Sequence, residues 1–146
     1  MNVHISKKAE LFFKAIEDIW VAEQTWHGSP NNAVWHCTQA VEKTMKGFLR
    51  CLNMDYDHGH ELESLLESIL TVFELPIEVT QHILYFNTYG TALRYKTLTD
   101  DPSPKDAEIA IKRTIQVMQE FHSNQKASMF MDEAKEAHKK MLSAIC

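Results

Sequence analysis

Asn32-Ala33-Val34-Trp35-His36-Cys37-Thr38-Gln39-Ala40-Val41-Glu42-Lys43-Thr44-Met45-Lys46-Gly47-Phe48-Leu49-Arg50 is the stretch around which the chain is organised. Its periodicity predicts a helix with two unlike faces. At about 100° per residue, Val34, Cys37, Val41, Met45, Phe48 and Leu52 fall on one side. Asn32, Gln39, Glu42, Lys43, Lys46 and Arg50 fall on the other, with Trp35 and His36 at its edges. The first face requires a core. The second reads as a solvated stripe stiffened by Glu42–Lys46 and Gln39–Lys43 pairs at i,i+4, each worth about 0.2–0.5 kcal/mol.

Helical spacing recurs on both sides of this segment. Upstream, Ile5, Ala9, Phe12, Phe13, Ile16, Ile19 and Trp20 predict a first helix that begins near Ser6 as N-cap and stops before His27-Gly28-Ser29-Pro30. Downstream, a short connection from Met54 to Gly59 leads to Leu62, Leu65, Leu66, Ile69, Leu70 and Phe73, the stripe of a third helix. Leu75-Pro76 ends it, and Pro76 suits the start of a fourth. Val79, Ile83, Phe86, Gly90 and Leu93 form the apolar side of that helix. Gly90 costs about 1 kcal/mol there relative to alanine, which suits a close helix neighbour.

The segment Thr97-Leu98-Thr99-Asp100-Asp101-Pro102 reads as a loop. Ser103-Pro104-Lys105-Asp106 supplies an N-cap, a proline at the first helical position and an acid in the first turn. Ala107, Ala110, Ile111, Thr114, Met118 and Phe121 carry the fifth helix; Phe130, Ala134, Ala137, Met141 and Ile145 carry a sixth. No segment alternates as a strand with hairpin turns. The expected fold is all-α: an antiparallel bundle of four to five helices over residues 1–125, with residues 126–146 as an accessory helix packed on the bundle or on a partner.

Composition narrows the functional classes. With 146 residues, 45% of them hydrophobic, the chain makes one domain with a sizeable core. A formal charge of −5 disfavours broad non-specific binding to nucleic acid but leaves room for a local basic patch of Lys43, Lys46 and Arg50. Cys37, Cys51 and Cys146 form no CxxC pair and read as reduced thiols of a cytoplasmic protein. No signal peptide is evident, and no apolar stretch is long enough to span a membrane.

Chemical motifs are sparse. The eight histidines include no Glu-x-x-His of the di-iron type, and His58-x-His60 lacks further ligands, so no metal is expected. There is no glycine-rich phosphate loop and no nucleophile elbow, so no cofactor is expected either. Tyr85 and Tyr89, four apart, suit packing or base stacking. At Arg94-Tyr95 the arginine offers a planar fork matched to phosphate.

Three pieces in order resemble the HEPN domain family, named for its occurrence in higher eukaryotes and prokaryotes and its proposed nucleotide binding. They are Gln39-Ala40-Val41-Glu42-Lys43-x-x-Lys46-x-x-Leu49, then His60-Glu61-Leu62-x-x-Leu65-Leu66, then Leu93-Arg94-Tyr95. The likeness spans roughly residues 5 to 122. It implies a helical bundle that forms a homodimer and often works beside a small nucleotidyltransferase. It implies a nucleotide or RNA-phosphate groove made by Gln39, Glu42, Lys43, Lys46 and Arg94, with Tyr95 beside it. His60, ahead of its leucine stripe, is expected to be structural.

HEPN ribonucleases carry an Arg followed four to six residues later by His. Here the positions after Arg94 hold Leu98, Thr99 and Asp100. A loop aspartate, with a pKa near 4, shuttles protons poorly at neutral pH. No catalytic residue is therefore carried over. The resemblance leads to a non-catalytic nucleotide- or RNA-phosphate-binding module. The alternatives are a divergent ribonuclease toxin and a structural adaptor or antitoxin.

Overall fold

The computed structural model describes the backbone of residues 4–56, 61–92 and 101–145, and the side chains of all these except 88–92. Among these residues there are six helices and no strand. They are α1 (Glu10–Thr25), α2 (Pro30–Cys51), α3 (Leu62–Leu70), α4 (Ile77–Ala92), α5 (Pro104–His122) and α6 (Gln125–Ile145).

Local chemistry accounts for several helix ends. At α5, Ser103 Oγ accepts the Asp106 N–H at 3.1 Å, while Asp106 Oδ2 accepts the Ser103 N–H at 2.9 Å. This reciprocal box satisfies two free donors, with Pro104 at the first position needing none. Helix α4 starts on Pro76, whose carbonyl accepts from Val79 and Thr80. Helix α2 ends with Asn53 at φ 56°. Met54 N–H reaches Leu49 O and Asn53 N–H reaches Arg50 O, both at 3.0 Å. That is a Schellman cap with asparagine in the left-handed position.

Ser6 does not cap α1. Its N–H and hydroxyl both donate to the Glu133 carboxylate on α6, and α1 begins only at Glu10. A partner 127 residues away outcompetes the local cap.

Helix α2 touches all five other helices. Asp18 pairs with Lys43 while Glu10 pairs with Arg50, so α1 and α2 run antiparallel. Buried Val34, Cys37, Val41, Met45, Phe48 and Leu49 of α2 meet Phe12 and Ile19 of α1, Ile69 of α3, Phe86 of α4 and Phe121 of α5 in one core. The Phe48 and Phe121 rings lie 4.9 Å apart. Gly47 lets α1 approach: a Cβ there would stand 2.8 Å from Phe12 Cε1.

The polar face of α2 is narrower than expected: Asn32 is exposed and Gln39, Lys43 and Arg50 are half-buried, but two of its members go inside. Glu42 and Lys46, expected on a solvated stripe, are 4% and 8% exposed. Thr38 and Thr44, also buried, return their hydroxyls to Val34 O and Ala40 O. Conversely, Trp20 and Leu70, assigned to apolar stripes, are 40% and 46% exposed. On α6 the buried set is Ala127, Met131, Ala134, Ala137 and His138. Phe130 and Met141 are only half-buried, and Ile145 is exposed. Ala134 and Ala137 are buried as expected, whereas Met131 and His138 take the interior positions expected of Phe130 and Met141. His138 packs edge-on to Phe13 and Trp20.

Candidate functional site

A seam of polar side chains follows one side of α2, and towards both ends of the seam they pair with α1. Asp18 is the buried centre of its N-terminal part. Its Oδ1 lies 2.8 Å from His36 Nδ1, and its Oδ2 lies 2.6 Å from Lys43 Nζ. One turn on, Lys46 Nζ stands 3.5 Å from Glu42 Oε2 and 5.7 Å from the centre of the Tyr56 ring. At the end of the seam Arg50 donates to Lys7 O at 3.0 Å and pairs with Glu10 at 3.7 Å.

Four of the six predicted groove residues lie on this seam. Glu42 and Lys46 face each other in the interior. Gln39 and Lys43 are half-buried at its edge. No hydrogen bond joins Gln39 to Lys43, because Asp18 holds the ammonium instead. Arg94 and Tyr95 lie outside the described residues, as do His58, His60, Leu93 and the segment 97–100; the side chains of Tyr89 and Gly90 do so as well.

Asp18 is the functional-class residue that periodicity did not single out. A signal was present: Ala15, Asp18, Ile19 and Ala22 form one i, i+3, i+4, i+7 row, so a carboxylate sits on the apolar face of α1. A carboxylate in that position requires a cationic or hydrogen-bonded partner.

A second polar cluster joins α4 to α5. The Arg113 Cζ lies 4.3 Å over the Tyr85 ring, and its Nη1 donates to His82 Nδ1 at 3.1 Å. Burial and the adjacent guanidinium push the His82 pKa down, against smaller opposing effects of a Gln116 hydrogen bond and the Glu78 charge. Tyr85 packs, as one of its two predicted roles requires: it lies edge-on to Phe86 and carries the Arg113 cation on its face.

Cys37 is fully buried, and burial pushes its thiol up to about 12 against the opposing effect of the neighbouring Thr114 hydroxyl. It is a core residue without nucleophilic character at neutral pH. Among the described residues no group of three or more His, Cys, Asp or Glu side chains is placed to hold a metal. No described helix is long and apolar enough to cross a membrane. A cleft of about 650 Å³ opens between Phe48, Leu52, Val72, Phe73 and Asn124, and none of the predicted groove residues lines it.

The sequence matches the family profile of the HEPN domain over residues 7–125. The chain belongs to the HEPN domain family. An archaeal HEPN homologue of known crystal structure superposes with a TM-score of 0.66 at 18% identity, covering 80% of this chain and 96% of its own. That likeness establishes the fold. Comparison with curated proteins yielded no match. The HEPN match ends where α6 begins, and α6 packs against α1 and α5.

Proposed function

We propose that this HEPN domain is a non-catalytic module that binds the phosphate of a nucleotide or RNA at the α2 seam. Lys46 is the central cation, with Lys43 and Gln39 at the rim, and the family resemblance assigns Arg94 and Tyr95 to the same ligand. The observation that supports this reading is the buried Glu42–Lys46 pair. Its 3.5 Å separation is longer than the roughly 2.7–2.9 Å of a strong charge-assisted bond. A buried ion pair costs desolvation that an apolar pair would avoid, so it is weakly justified by stability alone. A phosphate arriving beside Lys46 would supply the second anion that a desolvated ammonium favours.

The homodimer and the nucleotidyltransferase partner belong to this proposal as companions of the family. Catalysis does not, because Leu98, Thr99 and Asp100 stand where the ribonuclease histidine would be. Titration calorimetry with ATP, GTP and a short single-stranded RNA, at low and moderate salt, tests the assignment. Saturable binding lost in Lys46→Ala and in Arg94→Ala is expected. Affinity unchanged in both folded variants would remove the seam as a site, and RNA cleavage abolished by Arg94→Ala would replace the binding role with an enzymatic one.

A further inference from the structure

The Arg113 cluster stands on different side chains from the α2 seam and is absorbed by none of the roles above. The sequence has 20 acidic residues against 15 basic ones, yet no carboxylate lies within 4 Å of Arg113 among the described residues. The neighbours of Arg113 one turn away on α5 are Ile109, Ala110, Gln116 and Val117, none of them acidic. Arg50, by contrast, has Glu10 at 3.7 Å.

What holds Arg113 is geometry. The Tyr85 ring holds the guanidinium carbon at 4.3 Å from its centre, and the 3.1 Å bond to His82 Nδ1 anchors Nη1. Because Arg113 donates this bond, His82 accepts at Nδ1 and is uncharged; a second cation there would repel the first. One of five N–H donors is used, and the other four have no protein partner among the described residues. A half-buried guanidinium, anchored and with no counter-ion among the described residues, is matched to a ligand with two coplanar oxygens.

We propose that Arg113, held by Tyr85 and His82, is an oxyanion-binding site on the α4–α5 face that takes a phosphate monoester or a carboxylate group through two parallel N–H···O bonds. Glu78, exposed on α4 one turn before His82, is the acid that weakens it from a distance.

The test follows the Arg113 Nε–H and His82 ring signals by NMR while inorganic phosphate, AMP or acetate is added to the full chain at constant ionic strength. A saturable shift is expected for at least one of them, and the tighter ligand identifies the source as phosphate or carboxylate. Arg113→Lys keeps the charge but loses the fork, and should weaken binding at least about tenfold, the loss of one charged hydrogen bond. Glu78→Gln, a surface change that leaves the core untouched, should tighten it. Linear shifts without saturation would overturn the site. So would equal affinity in wild type and Arg113→Lys, or an affinity that Glu78→Gln leaves unchanged. Saturation that moves Lys46 signals but not Arg113 would overturn this site while leaving the α2 seam standing.

Discussion

The Lys43 ammonium lies 2.6 Å from Asp18 Oδ2, across the α1–α2 interface, on the carboxylate that also holds His36. Removing that carboxylate charge deprives two side chains of their shared anion. Both partners are about a quarter exposed and can turn to water, so the cost stays below that of a fully buried pair. Asp18→Asn should lower stability by about 1–3 kcal/mol in urea denaturation. It should also release Lys43 and strengthen phosphate binding at the seam. A variant as stable as wild type would show that Asp18 contributes no net stability.

Gly47 is the closest approach of α2 to α1. An alanine Cβ would meet the buried Phe12 ring at 2.8, 3.0 and 3.1 Å. The gain in helix propensity is about 1 kcal/mol, whereas overpacking costs about 1–3 kcal/mol. Gly47→Ala should therefore be destabilising by thermal melting, and Phe12→Leu in the same chain should recover part of the loss. A higher melting temperature for the single variant would show that the ring moves freely.

Asn53 closes α2 at φ 56°. Residues with a Cβ pay about 1–2 kcal/mol in the left-handed region unless, like asparagine, they tolerate it. Asn53→Val should cost about that much, and Asn53→Gly should be neutral or mildly stabilising. Equal melting curves for wild type and Asn53→Val would argue against the cap.

Burial holds the Cys37 thiol near 12, far from thiolate formation at neutral pH. Alkylation at pH 8 followed by peptide mapping should find Cys37 many-fold slower in native protein than in guanidinium chloride. Comparable rates would mean that α2 and α5 part readily, because Thr114 of α5 closes over the sulfur.

The depressed His82 pKa makes stability depend on pH. The unfolded chain takes up the proton near the ordinary value of about 6.5, whereas the folded one does so lower down. The contribution is therefore complete above that value and is lost as pH falls through the folded pKa. Unfolding free energy should decline over this acidic window, and Arg113→Gln should reduce the decline by removing the adjacent charge. The imidazole titration, followed by NMR, should show the same shift directly. An unshifted titration would break the Arg113–His82 bond as described.

Local signals were sufficient for much of the fold. The Ser103-Pro104-Lys105-Asp106 cap acts within four residues, and its geometry is as the residue types require. The Leu62, Leu65, Leu66, Ile69 row buries because one face of a short helix packs against α2 and α4. Ser6 failed as a cap because Glu133, distant in sequence, offers its hydroxyl and N–H a charged acceptor. The α6 seam was legible at Ala134 and Ala137, whereas only tertiary packing selects Ala127, Met131 and His138 over Phe130 and Met141.

The sequence by itself determined that the chain is an all-α HEPN domain, because helical periodicity and the three ordered motifs are properties of neighbouring residues. Only the tertiary structure decided which polar residues enter the interior. Five helices around α2 leave Glu42 and Lys46 only 4% and 8% exposed, Asp18 claims Lys43 from across an interface, and Arg113 meets Tyr85 and His82 from a helix about thirty residues away. Periodicity describes one helix at a time, whereas burial and charge pairing depend on what the other helices bring alongside it.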